Sequence, residues 1–230
     1  MKTLGVIGGL GPQTTADLYR RIGELVDVSK TGQRPHIIID SIPITTYLEN
    51  ENIIHEREFE PVLPYLINAA INLEKSGADF IVLACNSLHI FTKEITEAIN
   101  VPFVSITDTV VQTVLEKGYK KVGLLGTIRT NSSKMYDIPL KKQGVDLYKL
   151  DVERQKELNK TIIRLINNTY DQSDSIIFHD AVSKLFDNGV EGVILACTDL
   201  HLLMNVTDNF EIIDAMEVLA QRSAKIIQNG

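Results

Sequence analysis

The 230-residue chain is predicted to be an α/β protein of two similar Rossmann-like lobes, whose parallel sheets are related by a pseudo-two-fold axis. Three observations predict this fold. Short apolar runs alternate with amphipathic stretches along the whole chain, which is typical of parallel α/β sheets. The run Phe80-Ile81-Val82-Leu83 is continuously apolar, which favours a strand buried on both faces. The second half of the chain repeats motifs of the first half, which predicts two similar lobes with a site in the cleft between them.

The elements follow from this alternation. The apolar runs predict strands over residues 3–8, 36–41, 80–85, 102–106, 121–126, 193–197 and 211–213. The amphipathic patterns predict helices over residues 14–28, 62–75, 108–117 and 156–167. Gly77 and Gly189 stand just before strands and are predicted to end the preceding helices.

The internal repeat is the main guide to domain organisation. Residues 77–89 align without a gap with residues 189–201, so that Cys85 matches Cys197. Two further matches pair residues 2–8 with 120–126 and, more faintly, 106–108 with 212–214. We therefore expect one lobe of residues 1–107 plus 214–230 and a second lobe of residues 108–213.

Composition excludes several classes of protein. The formal net charge is −7, and the lysines and arginines form no long cluster, so nucleic acid and anionic membranes are poor partners. No apolar run approaches the roughly 18–20 residues of a membrane span. The apolar N-terminal stretch is short and broken by glycine, unlike a signal peptide, so a cytoplasmic location is expected. The two cysteines lie far apart in sequence and are expected to be thiols.

The two cysteines are the main candidates for chemistry. Cys85 and Cys197 each end a predicted strand, and a polar residue and a new helical pattern follow each of them. A helix N-terminus favours negative charge and lowers the pKa of a thiol from about 8.5. Two facing thiols suit the inversion of a carbon centre, because one takes a proton from one face while the other donates a proton to the opposite face. The alternative, two buried structural cysteines, is disfavoured by their matched contexts.

Backbone donors and a glycine loop surround this predicted site. The N–H groups of Asn86, Ser87, Thr198 and Asp199 are expected to hold a carboxylate or phosphate. The loop of residues 5–12 lacks both the third glycine of G-x-G-x-x-G and the lysine of a P-loop. It is predicted to be a tight turn that lets the backbone approach a small anionic ligand.

A Cys₂His₂ zinc site is the alternative from a different class. His89 and His201 each lie four residues after a cysteine, so each pair shares a helix face. The spacing departs from that of the usual zinc sites, which disfavours this hypothesis. Otherwise the two histidines pack or hydrogen-bond behind the cysteines, with orientation of a thiol as a further alternative. His55 and His179 belong to no motif and are expected to be solvated.

Four motifs resemble those of the aspartate/glutamate racemase family. Residues 8–15, Gly-Gly-Leu-Gly-Pro-Gln-Thr-Thr, resemble its G-G-M-G-P-x-A-T opening. Residues 84–89, Ala-Cys-Asn-Ser-Leu-His, resemble its C-N-T-A-H motif. Residues 196–200, Ala-Cys-Thr-Asp-Leu, resemble G-C-T-E-[LI], and residues 124–127 resemble L-L-G-T. The motifs occur in the family's order and span nearly the whole chain.

The resemblance implies racemisation of an amino acid without pyridoxal phosphate or metal, so no cofactor is expected. It implies that Cys85 and Cys197 are the two proton-transfer thiols. It also implies a homodimer whose small-molecule substrate is by default aspartate or glutamate. The other site residues that it implies, which hold the substrate's α-carboxylate and amino group or line the site, are Gly9, Leu10, Asn86, Ser87, Thr127 and Thr198.

The chain departs from the family's pattern at positions that bear on the substrate. Leu10 replaces methionine, Ser87 replaces threonine, and His201 stands where proline or a small residue is common. Members that act on aspartate often carry Pro-Asp-Arg after the second strand. Here Thr45 stands in place of the arginine that would hold a side-chain carboxylate, and Lys160 is a candidate for a second basic residue. A buried carboxylate without a cation is costly, so the substrate's side chain stays open.

Related functions remain as alternatives. Maleate isomerase-like chemistry also uses two cysteines on this scaffold, and a non-catalytic protein that binds a small ligand is a further candidate. Arylmalonate-type decarboxylases use one cysteine, and glutamate racemases proper have a D-S-G opening that this chain lacks. Both are therefore disfavoured.

Overall fold

The structure, a computed structural model, describes residues 1–45, 48, 61–204 and 209–230. Two separate β-sheets form the framework, and every strand pair in them is parallel. Helices connect the strands and pack on the sheets. The predicted α/β class with parallel sheets is confirmed.

The first sheet has the strand order β2–β1–β3. Its strands are β1 (Leu4–Gly8), β2 (Ile37–Ser41) and β3 (Phe80–Leu83). The helical segments around it are α1 (Pro12–Leu25), α2 (Val28–Thr31), α3 (Leu63–Lys75), a 3₁₀ turn (Ser87–Phe91) and α4 (Thr92–Glu97). The central strand β1 and the edge strand β3 are buried along their whole length, whereas β2 is half-buried or exposed.

The second sheet has the strand order β5–β4–β6–β7. Its strands are β4 (Lys121–Gly126), β5 (Asp146–Lys149), β6 (Gly192–Ala196) and β7 (Ile212–Asp214). Helix α5 (Ile106–Glu116) leads into it. The remaining helical segments are α6 (Ile128–Ser132), α7 (Asp137–Lys142), α8 (Val152–Ile166), α9 (Gln172–Asp187), a 3₁₀ turn (Leu200–Leu203) and α10 (Ala215–Asn229).

The internal repeat of the sequence is also a repeat of strand register. Gly5 of β1 pairs with Ile81 of β3, and Gly123 of β4 pairs with Val193 of β6. These are equivalent positions in the ungapped sequence matches. The strand ends that carry the two cysteines therefore occupy the same place in the two sheets.

The faint third match of the repeat needs a correction. Phe103 pairs with Ile81 and Ile212 pairs with Val193, and Ile81 and Val193 are equivalent positions of the repeat. Ser105 and Asp214 each lie two residues further along the chain and are therefore structural equivalents. Both side chains cap the helix that follows. The alignment drawn from sequence is wrong by three residues in this segment, and the predicted strand 102–106 is reduced to a single bridge at Phe103.

One apolar core joins the two sheets. It contains Leu4 and Val82 of the first sheet, Leu124 and Ile194 of the second sheet, and Leu219 of α10, and water reaches none of these side chains. Helix α10 packs against both α1 and α5. The division of the chain into residues 1–107 plus 214–230 and residues 108–213 stays a proposal.

Glycine ends the helices as predicted. Gly77 and Gly189 follow α3 and α9 with φ angles of +92° and +77°, a backbone conformation that favours glycine. Within the described ranges, no helix combines the length and the apolar character needed to span a membrane.

Candidate active site

The two thiols lie at equivalent ends of equivalent strands. One residue, Ala84, separates Cys85 from the end of β3, and Cys197 is the first residue after β6. Neither forms a disulfide; Cys85 is half-buried and Cys197 is 8% exposed. The two groups are close enough for Cys85 to raise the pKa of Cys197. The two predicted thiols therefore interact electrostatically, and their common site stays a prediction.

The surroundings of Cys197 favour the protonated thiol. Burial raises the pKa of Cys197 far above its ordinary value, and the Asp199 carboxylate raises it further. The backbone N–H groups of Asp199 and Thr198 donate to the sulfur and act in the opposite direction, because they favour the thiolate. The sequence predicts these two N–H groups to hold a substrate anion, and that role stays a prediction.

A cluster of three hydroxyl groups joins the two sheets beside Cys85. Ser87 Oγ shares a hydrogen bond with Thr127 Oγ1 at 3.1 Å and another with Thr130 Oγ1 at 3.2 Å. The two threonine hydroxyls are 3.1 Å apart, and Thr127 also caps α6 by accepting the Thr130 N–H. Ser87 and Thr127, both predicted site residues, thus come together across the molecule.

Asn86 is held by protein partners on both ends of its amide. The Tyr136 hydroxyl donates to Asn86 Oδ1 at 2.6 Å, and Asn86 Nδ2 donates to Thr130 Oγ1 at 3.4 Å. Burial raises the pKa of Tyr136, so the phenol remains the donor. Asn86 is 2% exposed, and its contact with substrate stays a prediction.

A second cluster lies beside Cys197. The Thr14 hydroxyl donates to Asp199 Oδ1 at 3.0 Å and lies 3.3 Å from Thr198 Oγ1. Burial raises the pKa of Asp199, and the bond from Thr14 lowers it. No motif in the sequence predicts a role for the Thr14 hydroxyl or for the Asp199 carboxylate. The signal that could have indicated Thr14 is its position, two residues after the glycine loop of residues 5–12.

The glycine loop is the tight turn that the sequence predicts. Gly9 has a φ angle of +86°, and a Cβ atom there would lie 2.7 Å from the carbonyl oxygen of Ile42. The Gly9 N–H donates to Thr15 Oγ1 at 3.1 Å. Leu10 is buried in the apolar core of the first sheet, against which Cys85 also packs. Substrate contact by Gly9 and Leu10 stays a prediction.

His89 is a neutral residue that links two backbone segments. Its Nε2 accepts the Ile106 N–H at 3.0 Å, so the proton is on Nδ1, which donates to the Cys85 carbonyl at 2.8 Å. Burial lowers the pKa of His89 to about 4. Because both ring nitrogens bond to backbone, this arrangement counts against His89 as a zinc ligand.

His201, the equivalent of His89 in the repeat, has a more polar environment. Its Nδ1 lies 2.8 Å from the Thr198 carbonyl, and the ring is close enough to Asp199 and Asp214 to lower the pKa of both carboxyls. Among the residues that the structure describes, no group of three or more His, Cys, Asp or Glu residues is arranged to hold a metal ion.

The prediction for His179 is wrong. The side chain is half-buried, and its ring contacts the rings of Phe178 and Phe210. Its Nδ1 lies 2.6 Å from the carbonyl oxygen of Ser175, one turn earlier in α9. His55 lies outside the described residues.

The two positions expected to carry a cation differ in how the structure places them. Thr45 is exposed, and the residues that follow it up to Tyr47 lie outside the described ranges. Lys160 is exposed on α8, whereas its neighbour Asn159 is 5% exposed and accepts the Ile128 N–H at 3.3 Å. On this helix Asn159, rather than Lys160, contacts the segment that Thr127 caps.

Comparison with known proteins finds racemases over the full length of the chain. The chain is 27% identical over 223 residues to the broad specificity amino-acid racemase RacX of Bacillus subtilis (strain 168), covering 95% of each protein. An aspartate racemase homologue of Pyrococcus horikoshii OT3 superposes with a TM-score of 0.79 at 31% identity over 100% of both chains. The aspartate racemase of Picrophilus torridus gives 0.79 at 26% identity, covering 98% of this chain and 95% of its own.

Two lobes, each with a cysteine at the end of the equivalent strand, together with these likenesses define the class of protein: an isomerase that racemises amino acids. The family model described as Asp/Glu/Hydantoin racemase matches residues 7–222. The chain belongs to the Asp/Glu/Hydantoin racemase family.

Proposed function

We propose that the protein racemises an acidic amino acid, aspartate or glutamate, by proton transfer at Cα between Cys85 and Cys197, without pyridoxal phosphate or a metal. The observation that carries the proposal is the equivalence of the two thiols, which end equivalent strands and interact electrostatically. The naming of one relative as an aspartate racemase supports the choice of substrate.

The proposed reaction needs one thiolate and one thiol. The thiolate takes the α-proton from one face of Cα, and the opposing thiol delivers its proton to the other face; the roles exchange in the reverse direction. Burial and Asp199 raise the pKa of Cys197, so this thiol starts as the proton donor. When Cys197 has given up its proton, the N–H groups of Thr198 and Asp199 stabilise the thiolate that remains.

The substrate's α-carboxylate and amino group need donors and acceptors near both sulfurs. The hydroxyl cluster beside Cys85 and the Thr198 hydroxyl beside Cys197 offer both. We assign these contacts to Asn86, Ser87, Thr127 and Thr198, with Gly9 and Leu10 lining the site.

Exchange of the α-proton with deuterium tests the proposal. The purified protein is incubated in D₂O with a panel of L- and D-amino acids, without added pyridoxal phosphate and after treatment with a chelator. We expect loss of the α-proton signal with aspartate or glutamate, and chiral chromatography should show both enantiomers. Exchange with a different amino acid would replace the substrate assignment, and no exchange with any amino acid would contradict racemisation.

We also infer a cytoplasmic homodimer. The resemblance of the motifs supports the dimer, and the negative net charge fits a protein that binds neither nucleic acid nor an anionic membrane. Size-exclusion chromatography with light scattering should give about twice the 25.7 kDa of one chain. A mass of one chain over a wide range of concentration would contradict it.

A further inference from the structure

Two buried threonines make matched contacts across the active site. Thr130 Oγ1 lies 3.4 Å from Asn86 Nδ2 and 3.2 Å from Ser87 Oγ. Asn86 and Ser87 are the two residues directly after Cys85. Thr130, which follows the inner strand β4 of the second sheet, therefore contacts the dipeptide after the thiol of the first sheet.

Thr14 makes the same contacts on the other side. Its Oγ1 lies 3.3 Å from Thr198 Oγ1 and 3.0 Å from Asp199 Oδ1, the two residues directly after Cys197. In the internal repeat, Thr198 and Asp199 are the equivalents of Asn86 and Ser87. Each dipeptide that follows a thiol thus bonds to one threonine from the opposite half of the molecule.

The two threonines also occupy the same helical position. Thr14 is the third residue of α1, which begins at Pro12, and Thr130 is the third residue of α6, which begins at Ile128. Helix α1 follows β1 and helix α6 follows β4, each an inner strand of its sheet. The connecting loop is two residues longer in the first half, so an ungapped alignment does not pair the two threonines.

Both threonines are buried; of their partners Asn86 is buried, and Ser87, Thr198 and Asp199 are half-buried. Thr14 is 4% exposed and Thr130 is fully buried. A buried hydroxyl or carboxylate that loses its hydrogen-bond partner is destabilised, because no water replaces the partner. These contacts therefore hold the two dipeptides in one arrangement.

We propose that Thr14 and Thr130 are positioning residues: Thr14 holds the dipeptide after Cys197 and supports proton transfer by that thiol, and Thr130 does the same for Cys85. The inference rests on the proposed two-thiol reaction. The Thr14 hydroxyl is thus assigned to proton transfer by Cys197, and the Thr130 hydroxyl to proton transfer by Cys85.

On the Cys197 side, the contacts that link the Thr14 hydroxyl to the sulfur involve Asp199 and Thr198. Thr14 holds the Asp199 side chain, and the N–H groups of Asp199 and Thr198 donate to the Cys197 sulfur. Such donors stabilise a thiolate only while their direction is kept, since hydrogen bonds weaken steeply as they bend. Loss of the Thr14 hydroxyl releases the Asp199 carboxylate and lets this peptide segment move.

Single-cysteine enzymes separate the two halves of the reaction. The chain has two cysteines, so Cys85→Ser leaves Cys197 and Cys197→Ser leaves Cys85. Loss of the α-proton of aspartate or glutamate in D₂O, followed for each enantiomer, then reports on one thiol. We expect Thr14→Val to lower this exchange about tenfold in the Cys197-only enzyme and clearly less in the Cys85-only enzyme. Thr130→Val should show the reverse order.

Two features of the design keep a folding defect apart from the proposed role. Both backgrounds carry the same substitution, so a general loss of folded protein lowers both rates alike. Thr14→Ser keeps the hydroxyl and should recover most of the rate that Thr14→Val loses. No exchange in either single-cysteine parent would overturn the two-thiol function and this inference with it. Exchange in the parents, with Thr14→Val and Thr130→Val each lowering both thiols equally or neither, would overturn this inference alone.

Discussion

His89 illustrates, at the scale of a single residue, how burial fixes a protonation state. The ring bonds to backbone groups through both nitrogens and has a pKa of about 4, against 6.5 in an exposed histidine. The unfolded chain therefore binds a proton in the range between these values and the folded chain does not. The stability contributed by neutral His89 is complete above about pH 6.5 and is lost as the pH falls towards 4.

Because of His89, we expect the unfolding free energy to fall by about 2 kcal/mol when the pH is lowered from 7 to 5. Urea unfolding at both pH values, compared between the native protein and His89→Asn, measures it. Asp199 and Asp214 have raised pKa values and titrate in the opposite sense, but they are common to both proteins. An equal pH dependence in the two proteins would contradict the assignment.

Each cysteine has its own expected phenotype. Cys85→Ser and Cys197→Ser should both lower racemisation by at least about a thousandfold, because each removes one of the two proposed proton carriers. Each variant should retain slow α-proton exchange, with one enantiomer in the first variant and the other enantiomer in the second. Measurable racemisation at the native rate in either variant would contradict the two-thiol reaction.

The sequence predicts the equivalence of the two cysteine positions but not all the contacts around them. Cys85 and Cys197 stand in matched contexts within an ungapped repeat, so their equivalence is visible in one dimension. Thr14 and Thr130 escape this comparison, since their loops differ in length and their contacts join residues far apart in the chain. His179 was misassigned, because a histidine in no motif gives no sign of the aromatic rings around it.

At the scale of elements, the turn between β1 and α1 tests the need for glycine. Gly9 has a positive φ angle, and a Cβ atom there would meet the backbone of Ile42. We expect Gly9→Ala to lower the unfolding free energy by more than about 2 kcal/mol. Gly23, within α1, is the matched control: a Cβ atom there meets nothing within 4 Å, so Gly23→Ala should stabilise by roughly 0.5–1 kcal/mol. Thermal unfolding of both variants, followed by circular dichroism, compares them; an equal effect would contradict this view of the turn.

A second prediction concerns the joint between α8 and α9. The Asp174 side chain is fully buried, bonds to Arg164 and Thr161, and closes a capping box with Asp171. Arg164 lowers the pKa of Asp174, which keeps the carboxylate charged. We expect Asp174→Asn to cost about 2–3 kcal/mol, since the guanidinium loses its anion and the helix loses part of its cap.

The control for this joint lies at the other end of the same helix. Asp187 pairs with Lys184 at the surface and is 65% exposed, so Asp187→Asn should change stability by less than about 0.5 kcal/mol. Urea unfolding of both variants at pH 7 compares the two. Similar losses of unfolding free energy in the two variants would show that burial does not determine how much the Asp174–Arg164 pair stabilises the protein.

Strands and helices are predictable from the sequence where the hydrophobic pattern is long or the run of residues is entirely apolar. The buried strands β1, β3, β4 and β6 stand out by their apolar runs. Strand β5 was missed because it lies at a sheet edge and its four residues are exposed or half-buried. The predicted strand 102–106 was too long, since Ser105 caps a helix there and the backbone leaves the sheet. A side-chain cap competes with strand pairing in a way that hydrophobicity alone does not reveal.

At the scale of the whole molecule, the two lobes are predictable and their union is not. The repeat predicts two similar sheets, because each half carries the same motifs in the same order. The core that joins them draws on both sheets and on the last helix, so it depends on contacts between residues far apart in sequence. The proposed active site needs this union, since Thr14 and Thr130 each contact the segment after a thiol in the other half.

The shared core leads to a prediction about cooperativity. Leu219 of α10 is fully buried in it, so Leu219→Ala should lower the unfolding free energy by about 2–5 kcal/mol. Because residues of β1 and β4 belong to the same core, amide hydrogen exchange in both strands should speed up together. A faster exchange confined to one sheet would mean that the two halves unfold separately. In that event the contacts across the site could be lost while each sheet stays intact, and the active site would be the least stable part of the protein.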